Sequence, residues 1–403
     1  MSAETADLTA RPKPGLFILV AMSALGPMAL NIFIPSMPGL RVALGTDYAT
    51  TQLTLTLYLA SMAVSQLFVG PISDRYGRRP VVLAGTAMFI VASLFCAFAV
   101  TIEQLIIGRI LQATGACAGI ALSRAIVRDI YSRDKAASLI GYVTMAMAIA
   151  PMVSPVIGGL LDQLAGWRTG FYLVAGIGLL VLGLAFGQLH ETHHNRSNGN
   201  ALGQLFGSVP VLLREPVFVG YALNSALTSA CFFAFIAGAP FLVTEAMHLT
   251  PADYGFYFIM ISLGYMLGNF ISGRFSARVG SNPLLIIGNM LAITGLVLLC
   301  LLAWYGVAGP LSIFLPMSII AISNGLTIPN ATASAISVRP EIAGAGAGLT
   351  GFLQIGLGAI ATLLVGAMHD GTSMPMISVM VAGGVGAGLF LALALFASRG
   401  RSD

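Results

Sequence analysis

The residues that could do chemistry in this chain are charged groups set thinly among long apolar runs. Their densest cluster is Gly70-Pro-Ile-Ser-Asp74-Arg75-Tyr-Gly77-Arg78-Arg79-Pro80, one carboxylate beside three guanidinium groups, with an apolar run on either side. Such a set can form charge-assisted pairs or stabilise the end of a neighbouring helix. Arg109 and Arg124 stand inside an apolar run of their own. A cation near the centre of a membrane span costs roughly 2.5–3.5 kcal/mol, so it is expected to face a cavity or a partner helix. Other chemistry is missing. No paired base and nucleophile, no Cys/His ligand spacing and no Gly-rich Lys-Ser/Thr phosphate loop occurs, which argues against a membrane enzyme, a metal site and an ATP-driven pump. Cys96, Cys117, Cys231 and Cys300 lie in apolar runs and read as small packing residues. His190, His193 and His194 lie in a polar segment and read as solvated. No cofactor is expected.

The charged cluster recurs. Gly273-Arg-Phe-Ser276-Ala277-Arg278-Val-Gly280-Ser281-Asn282-Pro283 matches it at five of eleven positions, 203 residues on in a chain of 403. Parallel duplication of this kind marks a large class of transporters. Apolar residues make up 57% of the chain and charged residues 8%, against roughly 25% charged in a soluble domain. The class is therefore all-α membrane protein. Windows of about 20 apolar residues predict twelve spans: 16–39, 51–71, 81–100, 105–127, 138–161, 169–189, 217–243, 252–275, 282–303, 309–332, 341–367 and 375–397. Two six-helix bundles, 16–189 and 216–397, are expected on either side of a polar linker, 190–215, with short tails at 1–15 and 398–403. The first span is read as a retained helix, not a signal peptide. With both termini cytoplasmic, fifteen of the 19 Lys and Arg residues face the cytoplasm, and the outer loops keep Arg41 and Arg168. The net charge of +4 is too small to suggest a nucleic-acid partner.

These residues resemble a known family. The 70–80 cluster matches the loop 2–3 signature of the major facilitator superfamily, and Arg109-Ile-Leu-Gln112-Ala-Thr-Gly115 is similar to its fourth-helix motif. Ala150-Pro-Met-Val-Ser154-Pro155-Val-Ile-Gly158-Gly159 is similar to the fifth-helix motif of its antiporters, with Ser154 and Ala150 standing where that pattern has glycine. Asn31-Ile-Phe-Ile-Pro-Ser-Met-Pro38, Gln52-Leu-Thr-Leu-Thr-Leu-Tyr58 and Arg124-Ala-Ile-Val-Arg-Asp129-Ile-Tyr131 resemble the Bcr/CflA drug exporters, the group of bicyclomycin and chloramphenicol resistance proteins.

The resemblance implies a twelve-helix transporter of the bacterial inner membrane. It would act as a monomer, exporting small amphipathic compounds by rocking of two halves in exchange for protons. It also implies a conformational latch of Gly70, Asp74, Arg75, Gly77, Arg78 and Asp129, weak or absent in the second copy, which lacks the acid. Asn31, Tyr58, Arg124 and Asn224 are the candidate substrate contacts, with Met28, Met145 and Phe232 alongside. Asn31 departs from the resembled group, which has aspartate there. An amide carries no proton, and none of the acids in or beside spans (Asp74, Asp129, Asp162, Glu245, Asp253, Glu341, Asp370) is mid-membrane. Weak dependence on a pH gradient follows, unless a peripheral acid, with Asp129 and Glu245 the nearest candidates, carries the proton. The alternative within transporters is a facilitator or exporter of one native metabolite, such as an amino acid, purine or sugar. A channel would not require the fifth-helix Pro/Gly set.

Overall fold

In lipid a backbone amide finds no water, so apolar runs must close their hydrogen bonds within helices. The computed structural model, which describes residues 14–131, 133–192, 201–307 and 309–399, is helical almost throughout. Eleven helices are long and apolar enough to cross a bilayer. In chain order the first four are α1 (Leu16–Ala43), α2 (Tyr48–Tyr76), α3 (Arg78–Ala97) and α4 (Ile102–Ile130). The partly described α5 (Arg133–Ala165) is the twelfth long helix. Then follow α6 (Arg168–Gln188), α7 (Pro216–Ala246), α8 (Pro251–Val279), α9 (Ser281–Trp304), α10 (Leu311–Ser337) and α11 (Pro340–Ala367). The last is α12 (Met374–Arg399).

Several helices run past the predicted apolar windows, because local capping extends them into polar sequence. Asp47 accepts from the Thr50 amide at 2.8 Å and starts α2 ahead of the expected position 51. Thr250 and Asp253 form a reciprocal capping box at the start of α8. The duplicated glycines set equivalent corners: Gly77 at φ 100° separates α2 from α3, and Gly280 at φ 81° separates α8 from α9. The segment 190–215 between the two sets of helices is not all loop. It holds a further helix, Ala201–Leu213, rich in apolar residues, while residues 193–200, with His193 and His194, lie outside the described residues.

Two ends of the molecule can be told apart by charge. The α2–α3 and α8–α9 corners share one end with Arg128, Arg214 and Arg339; the α1–α2 and α7–α8 corners lie at the other. The polar links between the two sets of six helices gather at the second, arginine-poor end. Tyr48 Oη donates to Ala237 O at 3.0 Å, Arg41 pairs with Glu245 at 3.0 Å, and the hydroxyls of Thr56 and Thr362 meet at 2.8 Å. At that end a Cβ on Gly159 would collide with Pro251 O, and one on Gly255 would lie 2.6 Å from Pro155 O. Near the arginine-rich end, by contrast, a Cβ on Gly70 of α2, or on Gly344 or Gly348 of α11, would meet nothing within 4 Å. The halves close at one end and part at the other.

Gly158 packs against α1 so closely that a Cβ would overlap Ile32 O. Gly158→Ala should therefore lose roughly 1–3 kcal/mol of stability, read as a lower unfolding temperature in detergent. Gly70→Ala, facing open space, should leave that temperature almost unchanged.

Candidate functional site

The first half is organised around Arg109. It is 0% exposed, and no carboxylate pairs with it among the described residues. One terminal nitrogen, Nη1, donates to Ala29 O at 3.1 Å and to Gln112 Oε1 at 2.6 Å. Gln112 passes the network on to Ser93 Oγ at 2.8 Å. Three ring faces take the place of a counter-ion: Tyr58, Phe33 and Phe171, with centroids 4.0, 4.7 and 5.9 Å from the guanidinium carbon. Desolvated cation–π contacts of this kind contribute about 2 kcal/mol or more. Tyr58 is held beneath the arginine by its own hydroxyl, which donates to Gly26 O at 2.9 Å. Gly115 lets α4 approach α3 here, since a Cβ would lie 2.6 Å from Phe89 N. Nε and Nη2 of Arg109 are buried without partners.

Asn31 lies within one helical turn of Ala29, on a different face of α1. At 100° per residue, Ala24, Pro27, Met28 and Asn31 share a stripe, and the first three are half-buried. This stripe faces neither Arg109 nor Gly158, which touch α1 at Ala29 and Ile32. Asn31 itself is 2% exposed, toward the closed end. Its Nδ2 donates to Pro27 O at 2.7 Å, and its Oδ1 has no partner. Arg124, one to two turns before the end of α4, is exposed, as is Arg128 one turn later.

The structure brings Tyr58, Arg109 and Gln112 together, and separates Asn224 from them. Asn224 sits in the second half, its Nδ2 donating to Asn289 Oδ1 on α9 at 3.1 Å and to Ala387 O on α12 at 2.8 Å. That is an interhelix packing position. In α5, Ser154 Oγ returns to Ala150 O at 2.6 Å, and Pro155 is buried against α8. Phe232 is half-buried against Phe233 and Phe258; the side chain of Met145 lies outside the described residues.

At the arginine-rich end, Arg78 bridges Asp74 at 2.6 Å and Asp129 at 3.1 Å. Arg75 is exposed over the Tyr76 ring and joins neither acid. Sequence reasoning missed the third acid. Glu191, just past α6, accepts from the Arg78 amide at 2.8 Å and the Arg79 amide at 3.2 Å, neutralising the positive start of α3. A Cβ on Gly77 would strike this carboxylate. The only hint in sequence was a lone acid beside an expected helix end. These contacts all lie within the first half. The equivalent corner of the second half has no acid and is tied by neutral groups: Ser276 Oγ meets Asn330 Oδ1 at 2.7 Å, and Asn330 Nδ2 donates to Ser272 Oγ at 2.8 Å. Arg339 instead pairs with Glu215 there, and with Glu341 at 3.4 Å.

The closed end holds a second cluster that the motifs did not flag. His369, between α11 and α12, stacks on Tyr48 of α2 with centroids 3.6 Å apart and planes 13° apart. Burial pushes its imidazole below the usual 6.5, opposed by Glu245 and Asp370 and reinforced by Arg41.

Comparison with known proteins accords with this architecture. The chain is 30% identical over 367 residues to a chloramphenicol resistance protein of Pseudomonas aeruginosa, covering 90% of this chain and 86% of that one. It is 29% identical over 373 residues to a bicyclomycin resistance protein homolog of Haemophilus influenzae, covering 91% and 92%. A partially occluded, inward-open structure of the xylose transporter XylE from E. coli superposes with a TM-score of 0.74 at 14% identity, over 93% of this chain and 95% of that one. The Major Facilitator Superfamily model matches residues 16–362, and the chain belongs to that family.

Proposed function

We propose that this protein exports small amphipathic compounds across the bacterial inner membrane by alternating access, as a monomer with its arginine-rich end and both termini in the cytoplasm. The observation that carries the reading is the gathering of contacts between residues of the first six helices and the last six at one end, while α2 and α11 part at the other. The excess of Lys and Arg at the open end supports a cytoplasmic orientation for it. The names of the two resistance-protein relatives support drug-like substrates, phenicol-like or bicyclomycin-like. A single native metabolite is the second reading, with the same geometry behind it.

In this conformation the Asp74–Arg78–Asp129 set is satisfied within its own half, and Gly70 faces open space. When the cytoplasmic end closes, that glycine surface is where the second half can seat, and the cluster then serves as the latch of the outward-open state. Proton coupling runs through the outer gate. Glu245 holds Arg41 across the halves and is reachable from outside. The titrating group beside this pair is His369, stacked on Tyr48. Its value is lowered in the packed gate, so its contribution to closure is present above the usual 6.5 and is lost as pH falls through the packed value. Outside acid thus loosens the outer gate and favours the outward-open state.

Proteoliposomes containing only this protein should accumulate chloramphenicol or a like compound saturably, faster with an imposed pH gradient. A non-saturable leak would refute the transporter reading, and saturable flux of an amino acid, purine or sugar alone would favour the metabolite exporter. Glu245→Gln should cut gradient-driven transport several-fold and flatten its pH profile; an unchanged profile would remove the outer gate from coupling. Asp74→Asn should lower transport at equal membrane abundance, and Arg278→Gln in the second half should be milder. The reverse order would show that the latch lies in the second copy.

A further inference from the structure

All 15 acidic residues of the chain lie in tails, loops or the terminal turns of helices. Cations more than one turn inside a described span are Arg274, near the end of α8, and Arg109 and Arg124, both on α4. Fifteen residues of helix separate the latter two by about 22 Å along the axis and about 60° around it, so they lie on one side of α4. Arg109 is buried with two nitrogens unpartnered. Arg124 is exposed while surrounded by protein, and Arg128 repeats the charge one turn closer to the mouth, near enough to repel it.

The acids described at the cytoplasmic end leave this charge unneutralised, because they are engaged elsewhere. Arg78 takes Asp74 and Asp129, Arg339 takes Glu215 and Glu341, and Glu191 holds the α3 amides. In the second half, Gln354 of α11 faces the hydroxyls of Ser225 and Thr332 at 3.0 Å each and contributes no charge. Toward the closed end the Asn31 carbonyl oxygen, a neutral acceptor on the α1 stripe, is one of several buried polar atoms without a partner, with Gln52 Oε1, Trp167 Nε1 and the Tyr254 hydroxyl.

We propose that the path between the halves selects anionic or acceptor-rich neutral compounds and rejects lipophilic cations. The negative or acceptor end of the substrate is drawn to α4, and a hydroxyl or amide N–H of the substrate meets Asn31 Oδ1. This rests on the exporter reading and narrows its substrate class. A single charge roughly 10 Å away, at an effective dielectric of about 20, already discriminates between opposite ligand charges by more than tenfold.

Tetraphenylborate and tetraphenylphosphonium have one shape and opposite charge, so they test the selection apart from any particular drug. Binding of each to the full chain in detergent, measured by calorimetry, should favour the borate at least about tenfold. Arg124→Gln and Asn31→Asp, each near in size to the residue replaced, should both shrink that ratio several-fold in protein with an unchanged elution profile. Equal affinity, preference for the phosphonium, binding of neither ion, or a ratio that neither substitution moves would overturn the proposal. Proteoliposome flux judges the exporter reading separately. If the borate is preferred but no drug is transported, the exporter reading fails and the charge selection stands.

Discussion

Arg109 is a full positive charge held dry without a carboxylate, and the first half of the molecule is arranged to make that tolerable. A buried cation left alone would cost several kcal/mol. Here a carbonyl of α1, a glutamine of α4 that is itself fixed by α3, and ring faces from α1, α2 and α6 surround it. Each of those groups must stay in place for the charge to remain compensated. The arginine therefore acts as a clamp on five helices, and the half it clamps can move as one body. A carboxylate partner would have made the site neutral. Among the described residues no carboxylate pairs with Arg109 or Arg124, which leaves α4 positive along this side.

The two ends of the interface between the halves are built differently. At the arginine-poor end the halves meet through bare backbone: Gly159 on Pro251, Gly255 on Pro155, with tyrosine and threonine hydroxyls between. Such contacts are close in shape but contain one exposed ion pair, Arg41–Glu245, and exposed pairs contribute only about 0–1 kcal/mol. At the arginine-rich end the ion pairs lie inside each half, around Arg78 and around Arg339, and so do not hold the halves together in this state.

The duplication was legible in sequence because corners need glycine at positive φ, and Gly77 and Gly280 both supply it. The chemistry of the two corners had already diverged in sequence, and the structure shows what replaced the lost charges: a neutral Ser276–Asn330–Ser272 chain in place of Asp74–Arg78–Asp129. Glu191 and His369 were not legible as functional residues. Each lies in a connecting segment, far in sequence from the groups it meets, Arg78 and Tyr48. Asn224 was legible as a polar residue in a span, but only packing shows that its donors go to α9 and α12.

Sequence by itself determined the fold class, the family, the clustering of positive charge in alternate loops and the departure at Asn31. These follow from local quantities: apolar run length, charge position and motif spacing, which a bilayer turns directly into helices. Tertiary structure decided which polar groups are already spent. A polar residue in a span can serve either a neighbouring helix or a substrate, and its own identity does not distinguish the two. Tyr58 and Gln112 are spent on Arg109 and its neighbours, while Asn31 and Arg124 keep unpartnered or exposed atoms. That allocation depends on distances between helices that are far apart in the chain, which only the packed fold fixes.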